Sequence, residues 1–144
     1  MSTTLYETDF YAWTQRQSAL LRAEEFEQID WNNLIEEIES LGRSQRQEIR
    51  SRLAVLIMHL LKLSYQPQRR SRSWRVTVMT QRAELEPLLN DNPSLRAQLG
   101  TITAEAYPIA LKKAIAETGL EKHVFPPQCP WTVEQLLDEE FWPE

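Results

Sequence analysis

The stretch from Asp30 to Gln66, DWNNLIEEIESLGRSQRQEIRSRLAVLIMHLLKLSYQ, limits what this chain can fold into. Successive residues of a helix turn about 100°, so apolar side chains three and four apart share a face. Trp31, Leu34, Ile35, Ile38 and Leu41 keep that spacing, as do Ile49, Leu53, Leu56, Ile57, Leu60 and Leu63. On one continuous wheel the two sets point the same way. Asp30 is suited to the N-cap, where its carboxylate accepts from the free amides of the first turn. Pro67 stops the run, because its ring disfavours helix at the residue before it.

Gly42 opposes the single-helix reading. A glycine after Leu41 suits the left-handed position that ends a helix, and Ser44 with Gln47 forms a capping box for a second one. Glycine followed at once by a cap is a specific local signal. It predicts a break or sharp kink near Gly42, whereas the in-phase stripe predicts one long helix.

The flanking segments also read as helices. Leu5 to Glu27 predicts a first helix, capped by Thr8 or Asp9, with Phe10, Trp13, Leu20 and Leu21 as core contacts. Ser71 or Ser73 starts a helix to about Asn90, its apolar face formed by Trp74, Val78, Leu85, Leu88 and Leu89. Pro87 should kink it or end it early. Asn92-Pro93 reopens a helix with proline in its first turn, through Pro108 to Thr118-Gly119. Glu121 to Pro130 is a proline-rich connector. Thr132 with Gln135 caps a short last helix, and Phe141 and Trp142 should dock rather than stand in water.

With 144 residues and only three glycines, the chain suits a helical domain and not an all-β one. No apolar run approaches the ~18 residues of a membrane span. The first ten residues lack the basic-then-apolar pattern of a secretion signal. The lone Cys129 cannot form an internal disulfide, which fits a reducing compartment. A cytoplasmic protein with no membrane association is the expectation.

Charge is unevenly spread. Arg43 to Arg82 holds nine Arg and one Lys against one acid, Glu48; the remainder holds six basic and twenty acidic residues. This block calls for acidic partners, within the protein or outside it. Arg69, Arg70, Arg72 and Arg75 surround Trp74, a combination suited to an anion or nucleic acid, since guanidinium binds phosphate and an aromatic stacks on bases. Against this, −14 of acidic sequence is available for internal pairing, and Trp74 lies on an apolar helix face. Internal pairing is the favoured reading.

A second constellation is acidic. Glu36, Glu37 and Glu39 lie close on one helix, and carboxylates so spaced can share a divalent cation. If the chain folded back, His59 would complete a mixed site, with Glu36, Glu39 and His59 as metal ligands and Glu36, Glu37 and His59 as catalytic groups. The competing reading makes the glutamates partners of arginines, and His59 a core residue donating to a carboxylate or carbonyl, with Glu37 and Asp30 as the nearest choices. No second Glu-x-x-His copy accompanies them. Gly-x-Ser-x-Gly and phosphate-binding glycine loops are absent, and Cys129 with His123 is too few ligands for zinc.

YETDFYAW, DWNNLIEEIESLGRSQRQEI, LIMHLLKLSYQPQRRSRSW and FPPQCPWTVEQLLDEEFWPE are spread over nearly the whole chain. Together they resemble the cyanobacterial domain of unknown function 29 family. The resemblance implies a compact, mostly helical domain and carries no activity, cofactor or catalytic residue with it.

The expected fold is all-α: a single-domain irregular helical bundle over residues 1–144. The favoured function is a non-enzymatic helical interaction module without cofactor. It would hold a protein partner or a second copy, or nucleic acid as the less favoured case, through segment 43–82 or an apolar helix face. The alternative is a metal-dependent hydrolase-type enzyme using the helix-borne carboxylates and His59.

Overall fold

In the computed structural model, which describes residues 4–143, the protein is all-α. Its helices are α1 (Leu5–Thr8), α2 (Phe10–Arg22), α3 (Trp31–Tyr65), α4 (Arg72–Asp91), α5 (Pro93–Arg96), α6 (Leu99–Thr118) and α7 (Val133–Leu137). Short 3₁₀ turns cover Phe26–Gln28, Pro67–Arg69 and Lys122–Val124, and no strand occurs among the described residues. The chain divides into two compact units, Met1–Ser44 and Gln45–Glu144.

In the N-terminal unit, the expected Leu5–Glu27 helix is split. Asp9 leaves helical geometry, and its carboxylate accepts from Ala12 N at 3.0 Å, starting α2. Glu24, at φ 59°, turns the chain after α2 in the left-handed conformation. Trp13 and Leu20 are buried as expected, but Phe10 and Leu21 are exposed. Gln17 is buried instead, and its side-chain oxygen accepts from Asp30 N at 2.8 Å. A polar side chain thus occupies the inner face and ties α2 to the start of α3. The Asp30 carboxylate accepts from Asn33 Nδ2 at 2.8 Å and Trp13 Nε1 at 3.0 Å.

Helix α3 does not break at Gly42, which corrects the expectation of a helix end there. Glycine inside a helix costs about 1 kcal/mol relative to alanine, which one residue among 35 can sustain. Ser44 and Gln47 therefore have no helix start to cap. The other correction concerns side-chain placement. Trp31, Ile35, Ile38 and Leu41 continue the apolar phase of α3, yet all four are exposed.

The core of the C-terminal unit is built on the second half of α3. Ile49, Leu53, Leu56, Ile57, Leu60 and Leu63 are essentially inaccessible to solvent, as their spacing requires. Around them pack Val78, Leu85 and Leu89 from α4, Leu99 to Ala114 from α6, Phe125, and Leu136 from α7. Ser71 caps α4 by accepting from Trp74 N. Pro87 stays inside α4 instead of ending it early, and α6 runs through Pro108 as expected. Both prolines are exposed, as are Ala83 and Ala104 four residues earlier, so water can reach the carbonyls the rings release. The helix expected to run from Pro93 to Thr118 is interrupted at Ala97-Gln98. Gly119 ends α6 at φ 72°.

Thr132 and Gln135 form the expected capping box, placing Leu136 in the core. The tail docks through Trp142, whose ring lies 4.7 Å from the Arg75 guanidinium and 5.3 Å from that of Arg82. Arg70 donates to Pro143 O at 3.2 Å. Cys129, half buried, donates to Trp131 O at 3.5 Å. No helix among the described residues is long and apolar enough to cross a membrane.

Candidate functional site

Most arginines of the basic segment have internal partners. Arg43 pairs with Glu36 at 2.9 Å, and Arg52 with Glu48 at 3.2 Å. Arg46 grips Glu105 with both terminal nitrogens at 2.8 Å, and Arg50 reaches the same carboxylate at 3.4 Å. Hydrogen bonds from Arg46 are the main reason the Glu105 carboxyl falls to about 2. Arg70 donates to the carbonyls of Leu63 and Pro143, and Arg75 lies on Trp142. Arg69 and Arg72 are exposed, and their side chains make no ion pair or hydrogen bond to a described residue. Trp74 is half buried beneath Lys62, whose Nζ lies 4.4 Å from the ring centroid and 2.8 Å from Glu117. A nearly buried lysine so placed is held by its carboxylate and by the ring face together.

Among the described residues, no three His, Cys, Asp or Glu side chains are grouped to hold a metal ion. Glu36 serves Arg43, and Glu37 accepts from the Tyr6 hydroxyl at 2.5 Å. Glu39 is exposed and has no partner among the described residues. His59 bonds through Nδ1 to Val55 O at 2.8 Å, one turn back on its own helix, and not to Glu37 or Asp30. A carbonyl only accepts, so Nδ1 carries the proton in the neutral ring. Burial holds the His59 pKa below its ordinary value, with Lys62 adding to the effect.

Arg82 was not among the sequence candidates. It is buried on the apolar face of α4, donating from Nε to Leu136 O at 2.8 Å and from Nη2 to Gln135 O at 3.2 Å. Its Nη1 has no partner among the described residues. The signal was legible in the spacing: residue 82 stands at the helical interval between Val78, Leu85 and Leu89, where an arginine must donate to something buried.

The feature that no internal partner absorbs lies in the N-terminal unit. Phe10, Thr14, Ser18 and Leu21 of α2 and Leu34, Ile38 and Leu41 of α3 line an apolar groove of about 420 Å³, with Trp13 and Gln17 at its floor and Glu37 at one wall. Phe10 is 48% exposed, Leu21 39%, Ile38 59% and Leu41 69%. The walls are braced by aromatic contacts: Tyr6 packs edge-on to Trp13 at 4.8 Å, and Phe10 stacks on Trp13 at 5.6 Å. The bond to Glu37 joins α1 to α3 and is the main cause that pushes the Tyr6 phenol up to about 12. Sequence reasoning identified these apolar residues but assigned them to the core, because periodicity identifies a face without saying what covers it.

No curated protein and no solved structure matches the chain. Residues 5–142 match the family described as Domain of unknown function DUF29, so the chain belongs to that family, for which no activity is established.

Proposed function

We propose that this protein is a non-enzymatic interaction module whose working surface is the apolar groove of the N-terminal unit, occupied by a helix of a protein partner. The observation that carries this reading is the exposed stripe of Phe10, Leu21, Ile38 and Leu41 on two braced helices. Contiguous apolar surface on a folded protein marks a contact site more often than isolated apolar residues do. A groove between two helices, with apolar side chains every three or four residues, suits the matching face of a third helix.

Magnitude favours a reversible contact. Fully burying a large apolar side chain is worth about 1.5–3 kcal/mol, and these four are roughly half exposed, so covering them yields on the order of 4 kcal/mol. A partner contributes a similar amount, and the loss of translational and rotational freedom opposes both. The internal pairing of Arg43, Arg46, Arg50, Arg52 and Arg70 weighs against a nucleic-acid footprint on segment 43–82.

The test is amide hydrogen exchange with and without an excess of a synthetic amphipathic helical peptide. Exchange at 10–21 and 34–41 should slow, and Ile38→Gln with Leu41→Gln should remove the slowing while leaving far-UV circular dichroism unchanged. Exchange in those segments that the peptide leaves untouched refutes the reading.

A further inference from the structure

We infer, resting on the groove reading above, that the helix taken by this groove is basic, with lysine or arginine along the edge of its apolar stripe that meets α3. On the wheel of α3, with Ile38 at the centre, Leu34 and Leu41 lie about 40–60° to one side and Ile35 about 60° to the other. Glu37 and Glu39 then stand about 100° from Ile38 on opposite sides, one at each margin of the apolar stripe. On α3 the exposed stripe is thus bordered by carboxylate on both sides: Glu37 lines the groove, and Glu39 stands past Ile38 on the side away from α2, beyond the lining. Glu37 already accepts from Tyr6, which fixes its position while leaving its second oxygen for another donor. Glu39 is exposed with no partner among the described residues.

The wider field points the same way. Residues 1–44 hold nine acidic side chains and three basic ones, a net charge of −6, whereas residues 45–144 hold twelve acidic and thirteen basic. The N-terminal unit therefore carries more than the whole of the chain's −5. A second copy brought groove to groove would set −6 against −6, so self-pairing through this face is opposed. An anionic lipid surface is repelled for the same reason. A cationic amphipathic helix satisfies the apolar stripe and the acidic α3 margin, and the field of the unit speeds its approach.

The test uses the full chain and three 18-residue helical peptides sharing one apolar face, with lysine, glutamine or glutamate at the flanking positions. Affinities are measured by fluorescence anisotropy at 50 and 300 mM salt. The lysine peptide should bind about tenfold tighter than the glutamine peptide at low salt, with the gap narrowing at high salt, and the glutamate peptide weakest. Glu37→Gln with Glu39→Gln should bring the lysine peptide down several-fold towards the glutamine peptide, whose own affinity stays put. Equal binding of lysine and glutamine peptides overturns the charge inference and leaves the groove standing. Binding of the lysine peptide that is indifferent to Ile38→Gln with Leu41→Gln overturns it too, since contact is then general attraction to an acidic surface. Failure of all three peptides to bind overturns both readings.

Discussion

Gly42→Ala is a substitution whose sign depends on the shape of α3. If α3 is continuous, Gly42 has helical backbone angles, and an added methyl meets no heavy atom within 4 Å. Alanine is then favoured by about 1 kcal/mol, the interior-helix difference between the two residues. With a urea m-value of about 2 kcal/mol/M, the unfolding midpoint moves up by roughly 0.5 M. Amides around residue 42 that exchange by local opening slow by about fivefold. Gly119→Ala serves as the internal contrast. At φ 72°, residue 119 sits where a β-carbon is disfavoured, so the same chemical change should destabilise by about 1 kcal/mol. Both variants are read by far-UV circular dichroism across a urea series and by hydrogen exchange. A lowered midpoint for Gly42→Ala would mean that the glycine uses a conformation no straight helix requires, and the continuous α3 would be refuted.

Two further outcomes follow from buried and paired charge. Glu105 has its carboxyl near 2 in the folded protein against an ordinary 4.5, so the unfolded chain binds the proton more readily between those values. Its contribution is complete above about 4.5 and is lost as pH falls towards 2; Glu105→Gln should flatten the acid limb of unfolding free energy against pH, and an unchanged limb would contradict the Arg46 grip. Arg82→Met removes two donors from the buried carbonyls of Gln135 and Leu136 and should cost about 2 kcal/mol. Hydrogen exchange should quicken at 133–142, and Arg82→Lys should not restore it, because an ammonium cannot reproduce the guanidinium fork.

The core of the C-terminal unit was readable from spacing alone. Ile49 to Leu63 form an apolar face too dense to leave in water, and Ser71, Gly119 and the Thr132–Gln135 box act over a single turn, so their meaning is local. The expectations at Gly42 and Pro87 failed because a breaker's cost, about 1 kcal/mol for glycine and about 3 for proline, is set against packing that local sequence does not reveal. The exposed groove was invisible for a different reason. Phe10, Leu21, Ile38 and Leu41 have the periodicity of core residues, and nothing in periodicity says that no neighbour arrives. The arginine pairings joined residues as far apart as Arg46 and Glu105, and only the fold decides such pairs.

The single thiol of Cys129 offers a clock for motions of the proline-rich connector. Burial raises its pKa, so the reactive thiolate is scarce while the segment stays closed. A maleimide added to the native protein then reacts more slowly with this half-buried thiol than with the unfolded chain, and faster as that stretch opens. The unmodified chain therefore reports its own breathing next to Trp131, with no engineered label required.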